Sequence, residues 1–373
     1  MSRALVVVFA LGLAGCPSRP PPVGPPPPPA GNITWKRVET EADVPREPPP
    51  PGTYRIHLID VGTGLSILVQ GADFTLLYDA GTNDREEKPI RILAYLEAAI
   101  GPSGDDLCVD RGHPAPTQRR AIDHVVLSHP HFDHASAMDL VLHCYDAHDV
   151  WDSGRINDAV FYRDFLEAVA KSAGATYHTA ASVPDTHAVS VKGAAVTIPR
   201  WQRFSEGDSV RLGETAKFTI LHADAKSDPD MNTASVVLAV QLGKTRLLLV
   251  GDSPSGKRMD PSYPAGEVEE FLIDHHRAEI RADILQVGHH GSKTSSRRDF
   301  LEAVHPTLAL VSSGPKVYGH TVLPDREVID ELRRIGAKVL RTDERDASCP
   351  LAHRIGPDTG PGGCDSYIIT VAP

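Results

Sequence analysis

No apolar run in this sequence is long enough to cross a bilayer. The run at its start, Ala4 to Ala14, falls short of the ~20 residues that a spanning helix needs, so a multi-helix channel is excluded within this chain. Positive charge is also in deficit: 38 Lys and Arg stand against 49 Asp and Glu, a net charge of −11. That balance argues against a surface that grips nucleic acid indiscriminately, though not against local basic residues around a site. No Gly-x-Gly-x-x-Gly opens a helix, which removes a dinucleotide fold. None of the five cysteines lies in a Cys-x-x-Cys or other metal-ligand spacing.

What is present begins with Met1-Ser2-Arg3, the apolar run, and Leu13-Ala14-Gly15-Cys16. A charged start, an apolar middle and a small-residue end make an export signal. The ending resembles a bacterial lipobox, which implies cleavage before Cys16 and lipidation there. More than one acyl chain anchors a protein stably, so residues 1–16 predict a lipid-anchored protein of the bacterial cell envelope. Residue 17 is Pro, not Asp, which favours the outer membrane. Proline dominates 17–29 and returns at 47–51; such sequence buries no core and favours stiff polyproline II, so 17–52 reads as a tether. The remainder suits one α/β domain, 53–345, with a tail at 346–373 holding an edge strand near Ser366 to Val371. Cys108, Cys144, Cys349 and Cys364 are an even number in an exported chain, so two disulfides are expected. Proximity favours Cys108 with Cys144 and Cys349 with Cys364.

The chemistry concentrates in Ser128-His129-Pro130-His131-Phe132-Asp133-His134, which follows the apolar run Val125-Val126-Leu127. On a tight loop leaving a strand, His129 and His131 point one way, towards one ion, while Asp133 and His134 turn to a neighbour. Imidazole plus carboxylate suits zinc, and also manganese or iron. The strand Thr245 to Val250 ends in Gly251-Asp252, an acid at a carboxyl end. Another strand, Ile284 to Val287, runs into Gly288-His289-His290-Gly291-Ser292-Lys293-Thr294. Two histidines followed by hydroxyls and a lysine read as a metal ligand and then an anion cradle, with Ser292, Lys293 and Thr294 donating to phosphate oxygens.

Asp60-Val61-Gly62, the His129–His134 cluster, Asn232-x-x-Ser235, Gly251-Asp252, the Gly288–Thr294 loop and Tyr318-Gly319-His320 stand in one order. That succession resembles the metallo-β-lactamase-fold hydrolases, and among them the soluble domain of the ComEC DNA-uptake proteins, over roughly Thr53 to Asp343. The resemblance implies an α/β fold, a four-layer αββα sandwich with the site along one edge. It implies a hydrolase using two divalent ions, zinc first, with a phosphodiester substrate such as DNA. His129 and His131 would then serve the first ion. Asp133, His134 and one of His289 or His290 would serve the second, with Asp252 bridging and Asp133 counted as catalytic. For the middle ligand, His222 and Asn232 both stay open. Asp60 is expected to orient a ligand; Lys293 and His320 are expected to hold the phosphate or protonate the leaving alkoxide. Departures from the pattern fall at Ala135-Ser136-Ala137, Gly62-Thr63-Gly64-Leu65 and Thr321, and they bear on substrate more than on metal. Two rival classes are a metal hydrolase of a lactone, thioester or β-lactam and a lipid-tethered binding protein without turnover; the Ser-Lys-Thr loop favours phosphate.

Overall fold

Gly64–Gln70 is buried at every position, which is the signature of a strand covered on both faces rather than one. The computed structural model describes residues 32–83, 90–101, 108, 112, 118–226, 229–356 and 362–373, and it explains that double burial. The lipobox at Cys16 and the proline run to residue 31 lie outside the described residues.

One sheet is built from β1 (Asn32–Arg37), β2 (Tyr54–Leu58), β3 (Gly64–Gln70), β4 (Thr75–Thr82), β5 (Ala121–Leu127), β6 (Asp146–Asp152) and β7 (Thr176–Thr179). A small hairpin, β8 (Ala188–Val191) and β9 (Ala194–Thr197), precedes its last edge strand β10 (Trp201–Arg203). The second sheet takes β11 (Ser209–Leu212), β12 (Ala216–His222), β13 (Val237–Leu242), β14 (Thr245–Leu249), β15 (Ile284–Gln286) and β16 (Leu308–Val311). A hairpin of β17 (Val317–Tyr318) and β18 (Thr321–Val322) follows, β19 (Lys338–Arg341) completes the second sheet, and β20 (Tyr367–Ala372) returns to the first. The helices are α1 (Ile90–Ile100), α2 (Phe132–Ala135), α3 (Met138–Cys144), α4 (Val160–Lys171), α5 (Glu267–His276), α6 (Arg298–Val304) and α7 (Arg326–Arg334).

Side chains alternate along a strand, and here each alternation has two apolar destinations. Ile67 and Val69 of β3 meet Phe218, Leu238 and Leu247 of the other sheet. Leu68, between them, faces outward with Leu93 and Leu96 of α1 and Phe165 of α4. In the second sheet Leu248 and Leu285 face outward onto Leu272, Phe300 and Leu332. Three apolar layers between four structural layers make the αββα sandwich that the sequence predicts.

The domain boundaries differ from that reading. Residues 32–52 are part of the fold: β1 pairs with β20 from Asn32↔Ala372 to Arg37↔Tyr367, and Val38 and Val44 are buried. β1 escapes a hydrophobic-pattern reading because it is an exposed edge strand held by backbone pairing. The tail is not an edge either. β20 lies between β1 and β2, with Ile369 and Val371 in the inter-sheet core and Ile368 in the outer one.

Asp60 ties this tail down instead of orienting a ligand. Its Oδ1 accepts from the Gly62 N–H (3.0 Å), and its Oδ2 from the N–H groups of Gly363 (2.6 Å) and Asp365 (3.1 Å). Burial pushes its carboxyl up to about 6, against the pull of Arg91. Cys108 pairs with Cys144 and Cys349 with Cys364. No helix among the described residues is long and apolar enough to cross a membrane.

β4, β5 and β6 run parallel, as do β14, β15 and β16. Ligands of such sheets bind in the crevice beyond the carboxyl ends of the strands, and the metal-type residues gather there.

Candidate metal centre

Asp79, near the end of β4, has φ 60°, an uncommon conformation for a residue with a side chain. Its carboxylate is buried. Oδ1 accepts from the Ser128 N–H (2.6 Å), and Oδ2 from the Ser128 hydroxyl (2.6 Å) and His134 Nδ1 (2.8 Å). With its own proton directed to Asp79, the Ser128 oxygen is free to accept from His129 Nδ1 (3.0 Å). One aspartate therefore fixes the ring and tautomer of two histidines, the part that Asp60 is expected to play.

The other two histidines are held in the same manner. His290 Nδ1 donates to the carbonyl of Ser312 (2.9 Å). His289 Nδ1 lies 2.7 Å from Thr294 Oγ1, whose hydroxyl donates to Ser292 Oγ at 2.9 Å. Both residues adopt left-handed backbone, φ 49° and 54°, a strain that persists where the surroundings demand it and clusters at functional sites. Each of the four rings thus spends Nδ1 on the protein and presents Nε2 to a common space.

Most of the groups in that space approach one another without a hydrogen bond. His134 Nε2 is 3.3 Å from Asp252 Oδ1, His289 Nε2 and His290 Nε2 are each 3.7 Å from Asp252 Oδ2, and His290 Nε2 is 3.6 Å from Asp133 Oδ2. His131 Nδ1 approaches His129 Nε2 to 3.0 Å. The buried atoms His134 Nε2, His290 Nε2 and Asp252 Oδ1 have no hydrogen-bond partner among the described residues. A buried polar atom without one costs about 1–3 kcal/mol, so three at one point suit a partner that accepts lone pairs. Two overlapping donor sets fit a cation: His129, His134 and Asp252, and Asp133, His134 and His290. The donors are all nitrogen and oxygen, which suits zinc and also manganese or iron.

The electrostatics agree. Burial pushes the Asp252 carboxyl up, but the neighbouring His134, His290 and His289 outweigh it and hold the carboxyl well below the usual range. Burial likewise disfavours a charged His134, and Asp252 and Asp79 reverse that.

A cavity of about 420 Å³ opens on this cluster, lined among others by His131, Asp133, Asp252, His289, Ser292 and Thr294. Four other expectations are not met at it. His222, at the end of β12, turns Nδ1 to the Ser235 carbonyl (3.0 Å) and packs its ring on Phe271. Burial pushes its pKa down, and it joins neither donor set. Asn232 is buried in a short turn and is not a lining residue. Its element acts through Ser235, whose hydroxyl accepts from the Asp252 N–H (3.1 Å). Lys293 sends Nζ to Glu327 (2.7 Å) and is not a lining residue of the cavity, while its backbone N–H donates to Asp325 (2.8 Å). His320 is exposed in the turn between β17 and β18.

Other residues stand where those two bases are expected. Tyr318 lines the cavity with its hydroxyl 3.3 Å from Asp133 Oδ2, beside Asn83 Nδ2 at 3.4 Å. Arg258 lines it too, with Nη1 donating to Ser292 Oγ (2.9 Å). Asp79 carries a sequence signal of the same type as Asp252, an acid beside a glycine-bearing strand end. Arg258 carries none, since it sits in an irregular Ser- and Pro-containing connection.

The family profile described as "Metallo-beta-lactamase superfamily" matches residues 59–314. The chain belongs to the metallo-beta-lactamase superfamily. Membership makes it a metal-dependent hydrolase by fold and donor set. It is similar to "Competence protein ComA" of Neisseria gonorrhoeae, at 28% identity over 76% of this chain and 30% of that protein. It is also similar to "Recombination protein 2" of Haemophilus influenzae, at 25% identity over 78% of this chain and 28% of that protein. This superfamily chain therefore spans about three tenths of the length of these relatives. Among solved structures it is similar to the metallo-beta-lactamase fold protein YhfI from Bacillus subtilis, at TM-score 0.43 and 12% identity, over 78% of this chain and 96% of that one.

Proposed function

We propose that this chain hydrolyses phosphodiester bonds in a nucleic-acid strand. The reading rests on one observation above all. A buried cluster of nitrogen and oxygen atoms, three of them without a hydrogen-bond partner among the described residues, opens onto a cavity whose wall carries Ser292 and Arg258, donors that suit phosphate oxygens. The names of its relatives, for competence and for recombination, favour a nucleic-acid substrate.

In this reading His129, His131 and Asp252 would hold one ion and Asp133, His134 and His290 the other, with His289 alongside, since the single Nε2 lone pair of His134 serves one ion only. When bound, such ions neutralise charge on phosphoryl oxygens and bring a water's pKa near neutrality. The protein's own groups then have definite tasks. Asp79 keeps the His134 proton on Nδ1, so that Nε2 stays a lone-pair donor. Ser292 and Thr294 fix His289. Tyr318 and Asn83 both donate to Asp133 Oδ2 and hold that carboxylate from the side.

A substrate panel tests this. The purified protein is expected to hydrolyse bis(p-nitrophenyl) phosphate in a reaction that chelation abolishes, with nitrocefin and a simple thioester as poor substrates. Preference for either of those two would replace phosphodiesterase by β-lactam or thioester hydrolysis.

A further inference from the structure

The connection from Ser253 to Gly266 leaves β14 beside Asp252, and a buried arginine shapes it. Arg297, 2% exposed, donates to the carbonyls of Lys257 (2.6 Å), Met259 (2.5 Å) and Asp260 (3.1 Å). The Arg298 N–H reaches the Pro261 carbonyl (2.8 Å), and the Ser255 N–H that of Thr294 (2.7 Å). Burying a guanidinium is costly unless it is bonded, and here its bonds close one loop. They determine where the side chain between Lys257 and Met259 stands.

That side chain is Arg258. Its Nη2 donates to both oxygens of Asp325 (2.6 and 2.8 Å), and its Nη1 to Ser292 Oγ (2.9 Å). A guanidinium has five N–H donors in one plane. The Nε–H and the second Nη1–H have no partner among the described residues, and the side chain is 39% exposed on the wall of the cavity that holds Asp252. Between Arg258 and His289 run three hydrogen bonds in series: Nη1 to Ser292 Oγ (2.9 Å), Ser292 to Thr294 (2.9 Å), and Thr294 to His289 Nδ1 (2.7 Å). Arg258 makes no hydrogen bond to Asp133 or Asp252 and meets His289 only through Ser292 and Thr294, which favours a contact with a neighbouring phosphate over one with the phosphoryl group at the donor cluster. A second cation marks the same mouth, with Lys316 Nζ 4.9 Å from the ring centre of Tyr318.

Building on the phosphodiester reading, we propose that Arg258 is a specificity-determining contact for the phosphate adjacent to the scissile one, with Arg297 as its positioning residue. The substrate is then a strand with consecutive phosphates rather than an isolated diester. With a net charge of −11 the chain offers such a strand little non-specific attraction, so the contact falls to cations placed at the cavity mouth.

The experiment compares wild type, Arg258→Ala and Arg258→Lys on a single-stranded oligodeoxynucleotide and on bis(p-nitrophenyl) phosphate, which has one phosphate. Arg258→Ala is expected to raise KM for the oligonucleotide about ten- to a hundredfold with a much smaller change in kcat. Its loss on the one-phosphate diester should be several-fold smaller. The slope of log KM against log salt for the oligonucleotide should shrink by about 0.7, one phosphate contact on a single strand. Arg258→Lys should recover part of the affinity, since it keeps the charge and loses the fork. Equal losses on both substrates, or an unchanged salt slope, would assign Arg258 to bracing the loop and overturn the proposal while leaving phosphodiester hydrolysis standing. A wild type that cleaves neither substrate would remove both.

Discussion

Asp252→Ala is expected to strip bound metal from the protein and to lower phosphodiester turnover by roughly ten-thousandfold or more. No other carboxylate among the described residues has His129, His134, His289 and His290 all within 4 Å, so its removal takes a donor from the first set and the charge beside His134 and His290 from the second. The fold should survive. Asp252 lies past the end of β14, outside the three apolar clusters, and its backbone remains held by Ser235. Metal content by mass spectrometry, kinetics and a thermal melt separate these effects. A variant with full metal and full turnover would remove Asp252 from the site, and a variant that fails to fold would show it to be structural.

Gly81→Ala should damage the same site without touching a ligand. A Cβ at residue 81 would lie 2.4 Å from the Asp133 carbonyl carbon, 2.5 Å from the His134 nitrogen and 2.6 Å from the Asp133 oxygen. These are backbone atoms, which cannot rotate aside as a side chain can. Accommodating a methyl group forces the segment carrying Asp133 and His134 away from β4. Overpacking of this kind costs about 1–3 kcal/mol and sometimes more, and the displaced ligands should weaken metal binding by tenfold or more, as loss of supporting contacts does elsewhere. Urea unfolding together with a metal titration measures both. Wild-type stability and affinity would mean that the close packing of Gly81 on this segment is not needed.

The layered fold was legible because burial on two faces leaves long apolar strands such as Val125–Leu127 and Leu247–Leu249, and because the helices between them keep their periodicity. β1 was not legible, since its pairing with β20 uses backbone groups that any sequence supplies. At the site, sequence carried residues whose chemistry is local: His129, His131, Asp133 and His134 stand together in the chain, and His289 and His290 follow a strand. Lys293 and His320 stand apart from the cavity that their sequence positions suggest, because sequence gives a side chain's identity and not its direction. Glu327, from α7, takes the lysine, and the turn between β17 and β18 leaves the histidine in solvent while Tyr318 faces inward. Asp79 and Arg258 act through partners distant in the chain. The Asp79 bonds to Ser128 and His134, and the Arg258 bonds to Ser292 and Asp325, exist only once the two sheets are assembled.

Wild-type protein freed of metal by a chelator and then titrated with zinc or manganese, with bis(p-nitrophenyl) phosphate hydrolysis followed at each addition, tests the metal centre most directly. Two equivalents are expected to bind, and hydrolysis is expected to return in step with them. Undiminished hydrolysis by the metal-free protein, or no uptake of either ion at micromolar concentration, would contradict the assignment of His129, His134, Asp133, Asp252 and His290 as a metal-holding catalytic cluster.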